Sequence, residues 1–132
     1  IGIAVTINST ADHNSIRIDP TAWDVYASAM VTAPTGDPEY FFTTHCLDSS
    51  SANNGHYHSD KLEALEAEMA KTFDTDRRGE LVVEMQQTIL DDYAFIFCSH
   101  LKMSMISKSS VTGLTAHPCD FYEITADLKP AE

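Results

Sequence analysis

The chain has 132 residues, 43% of them hydrophobic and 21% charged, which fits one ordinary domain and argues against low-complexity disorder. Its 8 Lys+Arg stand against 20 Asp+Glu, for a formal charge of −12. Nucleic acid is excluded as a partner because its footprint needs clustered cations, and an anionic membrane surface is disfavoured for the same reason. No apolar run reaches the roughly 20 residues of a membrane span.

In chain order, "GIAVTI" (2–7) is rich in β-branched residues and reads as a strand. "NSTADHNS" (8–15) is polar and turn-like, and "WDVYASAMV" (23–31) reads as a second strand. "TAPTGDPEYFF" (32–42), with two prolines and a glycine, reads as a loop anchored by Tyr40, Phe41 and Phe42. The polar stretch "TTHCLDSSSANNGHYHS" (43–59) holds His45, Cys46, His56 and His58. Helices follow. "SDKLEALEAEMAKTF" places Leu62, Leu65 and Met69 on one helical face, with Ser59 or Asp60 as cap and Asp60–Glu63 in capping-box spacing. "TDRRGELVVEMQQTILDDY" carries a stripe of Leu81, Val82, Met85 and Ile89, with caps among Asp74 to Asp76. The short link between them makes the two helices antiparallel neighbours. "AFIFCSH" (94–100) reads as a buried strand and "KMSMIS" (102–107) as an alternating one; "SVTGL" follows a turn, and "FYEI" (121–124) reads as a last short strand. This order predicts an α/β or α+β fold: a mixed sheet with two main antiparallel helices, in a single unit spanning 1–132.

Imidazole and thiolate suit Ni(II), Cu or Zn, so the polar stretch is the sharpest candidate for chemistry. Its spacing matches no standard zinc pattern. His56 and His58 share a face only if the chain there is extended. His100, His117 and the alternating Met103 and Met105 read as structural. Cys46, Cys98 and Cys119 are an odd number with no CxxC, and spacing does not decide their pairing. No nucleophile elbow, P-loop or HExxH is present, so the chain does not read as an enzyme. Adjacent His45 and Cys46 point to opposite faces of an extended chain, which argues against a catalytic Cys–His pair.

The order of motifs resembles the C-terminal part of the family 5 extracellular solute-binding proteins, the nickel-, dipeptide- and oligopeptide-binding receptors of ABC importers. The resemblance rests on "WDVYASAMVTAPTGDPEYFF", "NNGHYHSDKLEAL", "DTDRRGELVVEMQQTILDD" and "MSMISKSSVTGL", in the family's order and spacing. Two departures stand out. Ala94 to Phe97 lack the prolines many members have there. The loop Ala33-Pro34-Thr35-Gly36 lacks the acid that pairs with a peptide amine in peptide-binding members, and Asp37 belongs to the structural Asp-Pro step.

The resemblance implies one piece of a two-lobed binding protein of the type II periplasmic-binding-protein class, exported to the periplasm or cell surface, free or lipid-anchored. It implies transport, with a nickel chelate captured and passed to a membrane permease. Thr35, His45, Cys46 and Tyr57 become the expected ligand contacts, and His45, His56 and His58 the metal candidates, with His45 foremost. No resident cofactor is implied; Ni(II) or its chelate is cargo. A di- or oligopeptide receptor is the alternative, and an isolated interaction module without a small ligand is a third reading. A piece of a lobe is further expected to self-associate, or to be weakly stable, because it exposes surface that the rest of the lobe would cover.

Overall fold

The computed structural model describes residues 2–102, 104–116 and 124–131. It is helix-dominated, with one small antiparallel sheet, and belongs to the α+β class. Among the described residues, four helices run His13–Arg17 (α1), Glu39–His45 (α2), Asp60–Met69 (α3) and Thr75–Asp91 (α4), followed by strands Val111–Thr112 (β1) and Lys129–Pro130 (β2).

The two long helices form as their sequence predicts. Ser59 caps α3 by accepting from the Leu62 amide, and the Asp74 carboxylate caps α4 by accepting from the Arg77 amide at 2.8 Å. Asp60 and Glu63 do not form the expected capping box, because the cap falls one residue earlier; Glu63 instead accepts from the Asp48 amide at 3.0 Å. The helices are antiparallel. Arg77 near the start of α4 pairs with Glu68 near the end of α3 at 2.7 Å. At the other end, the Tyr57 hydroxyl ahead of α3 donates to Asp92 just past α4 at 2.6 Å. Between them Leu62 and Met69 meet Leu81, Val82, Met85 and Ile89, with Leu65 partly buried beside them.

A third helix completes this core where a loop was expected. The Asp-Pro step explains it. Pro38 occupies the cap position of α2 with φ of −70°, already suited to a helix, and Asp37 accepts from the Glu39 amide at 3.0 Å. Phe41 and Phe42 then lie buried against the helical hairpin, with Cys46 and Leu47 behind them. Arg78 fixes α2 in place. Its guanidinium donates to Asp37 and Glu39 at 2.8 Å, and to the carbonyls of Met69 and Thr72 at 3.1 Å. One side chain thus ties the Gly-Asp-Pro turn to the last turn of α3.

The expected strands at 2–7, 23–31 and 94–100 are absent. A strand exists only as a ladder, and these segments find no partner among the described residues. Ile3, Val5 and Ile7 are 75%, 76% and 87% exposed. The run from Ala94 was expected to be buried; Ala94 and Phe95 lean on the core, the largely exposed Phe97 reaches it with its ring 5.9 Å from Phe41, and Ile96 stands in solvent. The expected strand at 102–107 does not form in its described residues, and Met103 lies outside them. Of "FYEI", only Ile124 is described, exposed and outside any strand. The expected mixed sheet reduces to one antiparallel pair, Val111 opposite Pro130 and Thr112 opposite Lys129. Gly113, with φ of +82°, makes this pairing possible, since a Cβ there would strike the Asp127 carbonyl.

The accessible surface is 10346 Å². A compact monomer of this mass exposes about 6,900 Å². Exposed apolar side chains such as Ile3, Val5 and Ile7, outside a core built on α2, α3 and α4, contribute to the excess.

Candidate functional site

The polar stretch splits between helix and loop. Residues up to His45 belong to α2, and the loop begins at Cys46. Sequence reasoning missed the residue that organises it. Asn53 is only 7% exposed. Its amide group donates to the carbonyls of Tyr57 at 2.8 Å and Leu47 at 3.4 Å, and its oxygen accepts from the Tyr57 amide at 3.1 Å. One buried amide thereby satisfies backbone groups that the turn would leave unpaired. The Ser50 hydroxyl donates to the Thr44 carbonyl, and Asn54 to the Ala52 carbonyl at 2.9 Å. His56 takes a left-handed φ of +51°, a conformation that histidine, like asparagine and aspartate, adopts more readily than most side chains.

This knotted loop opens on a polar cavity of about 500 Å³ lined by Asp48, Ser50, Ser51, Asn53, Asn54 and His56, together with Ile18. Residues with hydroxyl, amide, carboxylate and imidazole groups line it, and of these the Asn53 amide, the Ser50 hydroxyl and the Asp48 carboxylate already have protein partners. The exposed His56 ring lines this cavity and makes no hydrogen bond or ion pair to any described residue. A second cavity of about 310 Å³ is apolar, with Phe41, Phe42, Pro38, Leu90 and Phe97 on its walls and Gln86 and His100 as polar contributors.

The structure disperses the other predicted site residues. His45 sits in the last turn of α2 against Phe41, ring centroids 5.7 Å apart, and edge-on to Tyr40 at 6.4 Å. Burial holds its pKa below the ordinary value, a contact with the Ala52 backbone opposes that, and the nearby Arg17 charge adds to the lowering. Cys46 lies in the core, and burial pushes its thiol up to about 12. That thiol is a packing group. Tyr57 is pushed up to about 12 by burial and by its hydrogen bond to Asp92, and its ring meets Phe95 edge-on at 6.4 Å.

His58 is committed elsewhere. Its Nδ1 lies 2.7 Å from Asp48 and its Nε2 3.4 Å from Asp60, and the Asp48 hydrogen bond raises its pKa. Thr35 is exposed on the turn closed by the Gly36 amide donating to the Ala33 carbonyl at 3.0 Å, and it lines neither cavity. The three histidines named as metal candidates do not converge, and no group of three or more His, Cys, Asp or Glu among the described residues is arranged to hold a metal ion. His100 lines the apolar cavity, while His117 and Cys119 lie outside the described residues.

Asn53 gave little signal in the sequence, because buried and exposed asparagines read alike inside a polar run. Asp48 could have been found as the one acid in "LDSSSANNG". Compared with family models, with curated proteins and with solved structures, the chain finds no match. No helix among the described residues is long and apolar enough to cross a membrane.

Proposed function

We propose that the chain is part of the receptor of an ABC importer, a lobe piece of the type II binding-protein class that captures nickel as a chelate outside the cytoplasmic membrane and delivers it to a permease. The observation that carries the reading is His56, an uncommitted imidazole on an open polar cavity, within the polar segment that begins just after the "GDP" turn. A chelator supplies most donors to the metal itself, so the receptor needs one imidazole and a polar wall around it. On this reading His56 takes the role first expected of His45, which is held among aromatic rings. Asp48 faces the cationic metal, and His58 holds Asp48 in place. The exposed Ile3, Val5, Ile7, Ile96 and Phe97 fit the same reading, as sheet residues whose neighbouring strands belong to the remainder of a lobe.

Isothermal titration with Ni(II) plus free histidine tests it, against a pool of short peptides as competitor. Nickel-chelate binding is expected, weakened about tenfold or more by His56→Ala and little changed by His45→Ala. Tight peptide uptake with no nickel response overturns it. A peptide receptor is the second reading, favoured by the apolar cavity beside Phe41 and Phe97, which suits a hydrophobic side chain.

A further inference from the structure

Asn8 is followed by Ser9 and Thr10, the Asn-X-Thr acceptor pattern of N-linked glycosylation. Of the four asparagines, Asn8, Asn14, Asn53 and Asn54, it alone has a hydroxyl residue two positions on. The triplet is a weak signal by itself. Two further observations point the same way.

The first is conformation. An acceptor must be drawn into a transferase as extended, accessible chain. Residues 2–12 form no helix or strand, and every residue from Gly2 to Ser15 is exposed. The Asn8 side chain makes no hydrogen bond to any described residue, so its amide is free to react. The Thr10 hydroxyl accepts from the Asp12 amide at 3.1 Å, which leaves its own proton available to donate.

The second is charge. The chain carries a formal −12, yet its first eleven residues include no charged side chain; the first is Asp12. This stretch exposes Ile3, Val5 and Ile7. Elsewhere carboxylates keep apolar surface in solution. Asn8 and Thr10 follow that apolar run on polar, exposed chain, where a saccharide adds hydration without burying the run.

We propose that Asn8 carries an N-linked saccharide. The Asn8 amide nitrogen bonds to the anomeric carbon of a lipid-linked saccharide phosphate or diphosphate. The bond from that carbon to the phosphate oxygen breaks, the lipid phosphate leaves with the electron pair, and the amide nitrogen gives up one proton. The assignment rests on the reading of the chain as exported, since such donors and their transferases face the exported side of the membrane.

The test is to send the full chain through the export route of a host with a sequon-directed oligosaccharyltransferase, recover it from the exported fraction, and weigh the tryptic peptide ending at Arg17. The peptide is expected to gain saccharide mass. Asn8→Gln and Thr10→Ala each abolish the gain, and Ser9→Ala keeps it. Unchanged far-UV circular dichroism separates loss of the acceptor from loss of the fold. An exported chain with a bare Asn8 overturns the proposal and leaves nickel binding to be judged by titration. A modified Asn8 on a chain that binds no nickel chelate upholds it and removes the receptor reading.

Discussion

Leu81→Ala separates a real helical core from an incidental one. Leu81 is 0% exposed on the face of α4 that meets α3, while Val83, two residues on, is 64% exposed. Truncating a fully buried leucine costs the lost transfer energy plus the cavity left behind, about 2–5 kcal/mol. The cooperative core runs from Pro38 to Phe95, about 60 residues, and at about 0.05–0.15 kcal/mol per residue its stability is about 3–9 kcal/mol. The substitution therefore removes a large share of it. A loss of about 3 kcal/mol shifts the midpoint by roughly 12–24 °C in a unit this small. Thermal and urea melts followed by far-UV circular dichroism read this directly. Val83→Ala serves as the control and is expected within about 0.5 kcal/mol of the parent. The reasoning fails if Leu81→Ala melts like the parent, or if Val83→Ala costs as much.

The two histidines flanking the polar loop give opposite pH dependences. His58 has its pKa raised by Asp48, so its stabilisation is complete below the ordinary value of 6.5 and is lost as pH rises through the folded value; His58→Gln should flatten that alkaline-side fall in melting temperature. His45 has its pKa lowered by burial, so its contribution is present above 6.5 and is lost as pH falls through the folded value; the two ring resonances, followed by NMR, should titrate on opposite sides of 6.5. In the native state iodoacetamide should modify the exposed Cys98 quickly and spare Cys46, whose thiol is held at about 12, until denaturant is added; fast native labelling of Cys46 would contradict its place in the core. The extended apolar segments should drive self-association, with a light-scattering mass above the 14.6 kDa of one chain that increases with salt as the −12 charge is screened. A monodisperse monomer at every salt concentration would refute this.

The long helices were legible because their cause is local. The 3.6-residue stripe through Leu81, Val82, Met85 and Ile89, together with the Asp74 cap, is written within a few turns of chain. The strands were not, because alternation at Ile3, Val5 and Ile7 states a capacity for pairing while the partner lies elsewhere. The short helix at Glu39–His45 hid behind Asp37-Pro38, which signals a turn and a helix start equally well. At the site, histidines drew attention by residue type, yet what they can do depends on neighbours far along the chain. His45 is set by Tyr40 and Phe41, His58 by Asp48 across ten residues, and Tyr57 by Asp92 across thirty-five. His56 stands apart because nothing claims it.

The confinement of the core to α2, α3 and α4 also determines what a protease would find. Lys61, Lys71, Arg77 and Arg78 all lie in or beside the α3–α4 hairpin, where backbone hydrogen bonds resist the local unfolding that cleavage requires. Lys102 and Lys108 lie on irregular chain, Arg17 ends a single-turn helix, and Lys129 is shielded from trypsin by the proline that follows it. Brief trypsin treatment should therefore trim from both sides and stall at a fragment near 18–102. That fragment keeps the Arg78 tie, the Asn53 knot and both cavities on a body less than two-thirds the length of the chain.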